Sequence, residues 1–168
     1  MIWGLAGGTI IIVFIGIGVL FGGAPFVPTR RRWLKEAMQL AEIKPDDVLV
    51  DLGSGDGSAL AAAVEAGASR AIGYEISPIL VWWSRLKLRK LKSKAKVMNV
   101  NLWKTKMPKD TTVIYVFQAG PVLKRLDKYL QEQRPYIETP KLRVICFGFE
   151  IPSLTLARSL NGMMLYEI

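Results

Sequence analysis

Two acids and three glycines are the residues whose spacing could do chemistry. Asp51 closes an apolar run made of Val48, Leu49 and Val50. Gly53, Gly55 and Gly57 follow at alternate positions, and Glu75 closes a second apolar run over residues 71–74. Glycine lets backbone come close to a ligand. A carboxylate at the end of the next strand can accept hydrogen bonds from both hydroxyls of a ribose. The set therefore points to a ligand that contains a nucleoside. A dinucleotide-binding loop would put its third glycine at position 58, which is Ser58, and a phosphate loop would need Gly-Lys-Ser/Thr, which is absent.

Other chemistries are closed off by composition. The 168 residues include no histidine and one cysteine, Cys146. No intramolecular disulfide and no Cys/His metal centre can form, so no metal is expected. Cys146 sits in the apolar run RVICFGF and reads as a buried thiol. Without histidine the commonest general acid–base is missing, which favours a reaction with little proton relay.

These residues must be held by a strand–loop–helix–strand unit over 48–78, and the flanking pattern extends it. Residues 30–42 read as a helix with Thr29 as its N-cap, and 44–47 as a turn. Pro78 restarts the chain as a helix to about residue 91. Ile79, Trp82, Trp83, Leu86 and Leu88 supply its apolar bulk. Strands are expected over 96–100, 112–117 and 141–149, with a helix over 122–133. Strand and helix alternate five times. The tail reads as two strands, 153–160 and 163–168, around Asn161–Gly162, a strong hairpin signal. The expected fold is α/β: a Rossmann-like, mostly parallel sheet with helices on both faces and a C-terminal antiparallel hairpin.

The N-terminus has a different character. No charged side chain occurs from Met1 to Thr29, and residues 2–21 would span roughly 30 Å as a helix, the thickness of a bilayer core. Arg30, Arg31, Arg32 and Lys35 follow. A cleaved signal peptide is disfavoured because no basic residue precedes the apolar run. Residues 1–24 are expected to form a single-pass membrane anchor and 25–168 the folded domain. The arginines place that domain on the cytoplasmic, or matrix-like, side. The formal net charge of +9 favours anionic partners. The basic stretch from Arg85 to Lys96 could meet lipid headgroups, bind RNA or be a solvated helix face.

The segment DLGSGDG, with Tyr74–Glu75 at the next strand, resembles the S-adenosylmethionine site of seven-stranded class I methyltransferases. That resemblance implies S-adenosylmethionine as cofactor. Asp51, Gly53, Ser54, Gly55 and Gly57 would surround its methionine part, Glu75 its ribose and Ile76 its adenine. A closer resemblance covers most of the chain: the apolar N-terminus, PFVPTRRR, DLGSGDG, GYEISP and NLWK occur in that order. The sequence is similar to the membrane-anchored protein-lysine methyltransferases of mitochondria, which act on the ADP/ATP carrier and the c-ring protein of ATP synthase, and to their prokaryotic relatives. Their Asp-Leu-Trp after the third strand is here Asn101, Leu102 and Trp103. Asn101 can still hydrogen-bond an adenine edge but adds no negative charge.

The resemblance implies methyl transfer to lysine on a membrane protein, with membrane lipids as partners of the anchor and its basic flank. Nucleic acid is disfavoured as a partner. The Asn/Asp-Pro-Pro-Tyr/Phe turn used on adenine amino groups is absent, and FQAGP stands in its place. Methylation of a lipid or lipophilic small molecule, or cofactor binding without transfer, are the alternatives. Gln118 and Glu150 follow the fourth and fifth strands, where an acceptor would lie. Gln118 could orient an amine or cap a turn; Glu150 could attract a lysine or be a surface charge. Trp103 could wall the acceptor channel or pack on the sheet, and Pro28 belongs to the PxVP segment that the resemblance places near the substrate.

Overall fold

The computed structural model describes residues 27–117 and 122–168. The expected anchor over 1–24 and Gln118 lie outside the described residues. Among the described residues no helix is long and apolar enough to cross a membrane.

Seven strands form one sheet: β1 (Val48–Leu52), β2 (Arg70–Glu75), β3 (Ala95–Asn99), β4 (Val113–Val116), β5 (Arg143–Phe147), β6 (Leu156–Leu160) and β7 (Met163–Glu167). Their order is β3-β2-β1-β4-β5-β7-β6. Strands β1 to β5 run parallel, and β7 is antiparallel between β5 and β6. The α/β expectation and the inserted antiparallel hairpin are both met. Asn161 and Gly162 take φ of 50° and 82°, the pair of positive values that a tight two-residue hairpin turn requires.

Every β1 residue is buried, as a central parallel strand requires. Alternate strand residues serve opposite faces. Leu49, Ala71, Tyr115 and Ile145 pack on one side with α1 (Arg31–Leu40), α2 (Ser58–Glu65) and α3 (Pro78–Leu88). Val50, Ile72, Ile114 and Val144 pack on the other with Leu126, Tyr129 and Leu130 of α4 (Leu123–Gln133). Each buried Leu, Ile or Val contributes about 1.5–3 kcal/mol. Asp47, just before β1, is the polar hub of the sheet's opposite end. It pairs with Arg143 and accepts from Thr112 Oγ1 at 2.7 Å and Lys44 N at 2.6 Å. Arg143 also donates to the carbonyls of Ala41 and Glu42, tying α1 to β5.

The structure corrects three expectations. Strand and helix do not alternate throughout: β3 and β4 are joined by a short 3₁₀ turn, Leu102–Lys104, and irregular chain containing Pro108. Buried Met107 fills part of the sheet face that a helix would otherwise cover. The helix starting at Pro78 stops at Leu88, and a 3₁₀ segment, Arg89–Lys94, follows with Lys92 at φ 51°. Like charges one turn apart, Arg85/Arg89 and Lys90/Lys94, disfavour its continuation. Finally, Arg30 and not Thr29 is the N-cap of α1, without a side-chain bond. The Thr29 hydroxyl is bonded to Tyr115 instead.

Candidate active site

The order of the strands reverses between β1 and β4. A ligand is expected in the crevice at their carboxyl ends, and a cavity of about 300 Å³ opens there. The chain leaves β1 through Gly53, Gly55 and Gly57, at φ of 103°, 51° and 75°. Side-chain-bearing residues rarely adopt these values, so the loop's path needs glycine. The Gly53 and Ser54 amides both donate to Tyr74 O at 3.0 Å, fastening the loop to β2. Ser54 packs so closely on Gly73 that a Cβ there would lie 2.4 Å from Ser54 Oγ. That buried hydroxyl has no hydrogen-bond partner.

Glu75 is held from two sides. Its Oε2 accepts from Gly55 N at 2.9 Å and its Oε1 from Ser77 N at 2.8 Å. A carboxylate offers about four acceptor positions, so further lone pairs remain for a ligand diol. Asn99 donates through Nδ2 to the carbonyls of Glu75 and Ile76, fixing the turn after β2. Asn101 Oδ1 accepts from Trp103 N at 3.0 Å, so its carbonyl caps the 3₁₀ turn.

Two carboxyls here are raised above their ordinary range. Burial does this to Asp51, reinforced by the charges of Glu75 and Asp56. Burial also raises Glu75, against the opposing pull of the Ser77, Gly55 and Ile76 amides. Across the switch point Asp51 stands beside Tyr115 in register. Burial first, then the nearby Asp51 charge, holds the Tyr115 phenol above its usual range.

Asp51, Gly53, Ser54, Gly55, Glu75, Ile76, Asn101, Leu102 and Trp103 all line the cavity. Three other candidates do not. Gly57 lies behind the loop, where a Cβ would meet Leu88 Cδ1 at 2.7 Å, so its part is to let α2 and α3 close together. Pro28 is outside the lining although its neighbours Val27 and Thr29 belong to it. Glu150 is exposed and also outside the lining, so the structure leaves it a surface charge. The chain turns sharply at Gly148, φ 82°, and Cys146 Sγ donates to Phe149 O, which carries the segment away from the crevice.

The β4 side of the cavity adds residues that the motifs do not single out: Thr29, Tyr115, Phe117 and Arg125. Tyr115 and Phe117 share the strand parity that faces Asp51, a signal hidden in a run, VIYVF, that looks like core alone. Arg125 lies over the Trp103 ring at 4.4 Å, and Trp103 meets Tyr129 edge-on at 5.9 Å. Trp103 thus both packs on the sheet and walls the cavity.

The ligand-binding arrangement fits S-adenosylmethionine. The glycine loop brings backbone close, a held carboxylate faces a diol position, and Ile76 and Leu102 offer apolar walls for a base. Sheet order and site together define a class I S-adenosylmethionine-dependent methyltransferase. Comparison with known proteins agrees. The profile of the ANTKMT methyltransferase domain matches residues 51–158, and the chain belongs to that family. A lysine N-methyltransferase of the ATP synthase c-ring protein from Rattus norvegicus is 31% identical over 163 residues, covering 92% of this chain and 72% of that protein. An adenine nucleotide translocase lysine N-methyltransferase of Mus musculus is 34% identical over 131 residues, covering 77% of this chain and 55% of that protein. The crystal structure of an RNA methyltransferase from Salinibacter ruber, in complex with S-adenosyl-L-homocysteine, superposes with a TM-score of 0.73 at 29% identity. It covers 84% of this chain and 92% of that one.

Proposed function

We propose that this methyltransferase modifies lysine on a membrane protein and that residues 1–24 anchor it beside that substrate. The observation that carries the substrate class is the alignment along 92% of this chain with the ATP synthase lysine N-methyltransferase of Rattus norvegicus. The apolar, uncharged start of the sequence supports the anchor, and the arginines after it support a cytoplasmic or matrix-like domain.

Asp51, Gly53, Ser54, Gly55, Glu75, Ile76, Asn101 and Leu102 would hold the cofactor. When bound, S-adenosylmethionine supplies a methyl group already activated by a positively charged sulfur. The protein's remaining work is to align the acceptor and present it dry and uncharged. Trp103, Tyr115 and Phe117 suit that task. Apolar surroundings lower the pKa of a lysine amine, and the rings can meet a methylated ammonium face-on. No histidine is needed for this. Tethering raises the effective concentration of a substrate in the same membrane.

The test is transfer of labelled methyl from S-adenosylmethionine into membranes of the source cell. Label in a protein band, resistant to lipid extraction and mapped to lysine, is the expected result. Label confined to the organic phase means a lipid acceptor, and cofactor binding with no transfer means a binding module. An RNA acceptor has support from the Salinibacter ruber structure; label released by ribonuclease would establish it and overturn the lysine assignment.

A further inference from the structure

Helix α3 has two apolar faces, and only one is used. Leu80, Val81, Ser84 and Leu88 are buried against the sheet. On the opposite side Ile79, Trp82, Trp83 and Leu86 are 44%, 65%, 50% and 45% exposed. Their spacing, i, i+3, i+4 and i+7, makes one continuous stripe along the helix. The apolar bulk that looks like core in the sequence is thus largely on the surface. Exposed tryptophans in a contiguous patch mark an interaction surface.

Charge says what kind. Arg85 and Lys87 lie on the two flanks of the stripe. Arg89, Lys90, Lys92, Lys94 and Lys96 continue past its end, all seven are exposed, and no acid occurs from residue 78 to 96. Two copies of such a surface would bring like charges together, which argues against a dimer. RNA would use the basic residues and could stack on tryptophan, but Ile79 and Leu86 give it nothing. A surface of anionic lipid uses every part: aliphatic side chains enter the acyl boundary, tryptophan sits at headgroup level, and lysine meets phosphate.

We infer that α3 is a second membrane contact, an interfacial helix whose Ile79–Trp82–Trp83–Leu86 stripe docks on anionic lipid. Leu80, on the buried side of the same helix, lines the cavity. Docking therefore sets the cofactor cavity against the bilayer, which an N-terminal tether alone would not do. The inference goes beyond the proposed function and does not depend on which acceptor is methylated.

The experiment uses the full chain with an environment-sensitive label at position 82, introduced as Trp82→Cys. Cys146 is buried, and burial pushes its thiol up to about 11, so maleimide selects the new site. Lys128→Cys, on exposed α4 at the other face of the sheet, is the control. In phosphatidylserine vesicles the position-82 label is expected to shift to the blue and to be protected from an aqueous quencher, while the position-128 label is not. Phosphatidylcholine vesicles should protect position 82 at least about twofold less, and so should a Lys90→Glu/Lys92→Glu chain in phosphatidylserine. Equal accessibility of both labels on anionic vesicles would overturn the inference. So would protection of position 82 without lipid, which assigns the stripe to another segment or a second copy, or protection by RNA alone. Unchanged melting of each labelled chain shows that the fold is intact.

Discussion

Replacing Glu75 by Gln separates what this residue does for the fold from what it does for the ligand. In the structure both carboxylate oxygens accept backbone N–H bonds, from Gly55 and Ser77. An amide keeps one oxygen. Its NH2 group must face the other N–H, donor against donor. The lost bond to a charged acceptor is worth about 1.5–3 kcal/mol. Against this, burial raises the Glu75 pKa despite its amide partners, so the ligand-free fold carries a cost for the charge that Gln does not. The two effects offset, and stability should fall by no more than about 1–2 kcal/mol. A ribose diol gains no such offset: two bonds to a charged acceptor become at best one to a neutral acceptor. The loss of about 2.5–3 kcal/mol corresponds to roughly a hundredfold in Kd. Thermal melting and calorimetric titration with S-adenosylhomocysteine read the two quantities separately. Clear destabilisation with affinity unchanged within about threefold would refute the reasoning, because Glu75 would then be only a loop tie.

Three further outcomes follow from particular contacts. Asp51 has a raised carboxyl pKa, so its contribution to stability is present at low pH and lost as pH rises through the folded value. Asp51→Asn should therefore stabilise the ligand-free protein by about 0.5–2 kcal/mol at neutral pH, with an advantage that shrinks on acidification, while weakening cofactor binding; melting curves from pH 5 to about 8 check it. Gly73→Ala would press a methyl into Ser54, whose amide is fixed to Tyr74, and should cost about 1–3 kcal/mol as well as cofactor affinity, in chemical denaturation and titration. Arg143→Ala would strand buried Asp47 and should cost about 3–5 kcal/mol in urea denaturation, with little change in cofactor affinity once folded because the pair lies at the far end of the sheet.

The cofactor half of the site was legible before any tertiary structure. It is built from one short stretch, and local chemistry dictates it: glycine where φ is positive, an acid where a strand ends. Asp51, Gly53, Ser54, Gly55 and Glu75 all reach the cavity for that reason. The hairpin was legible too, because Asn161–Gly162 suits few other turns. The acceptor half was not. Thr29, Tyr115, Phe117 and Arg125 come from separate places in the chain, and only the parallel pairing of β1 with β4 sets Tyr115 beside Asp51. Conversely Glu150, well placed by strand order, turns out to solvent at a glycine bend.

Helix α3 shows the same division most sharply. Its start at Ser77–Pro78 is written in the residues, and Ser77 Oγ accepts from Leu80 N as a cap should. Its apolar residues run almost around the whole cylinder, so periodicity does not select a buried side. The sheet made that selection. Leu80, Val81 and Leu88 cover it with Ser84 among them, and two tryptophans are left outside. The sequence by itself determined the methyl donor's loop, because that binding is local. Tertiary structure decided which side chains face the acceptor and which apolar face remains open, because both depend on the strand and helix neighbours that folding brings together.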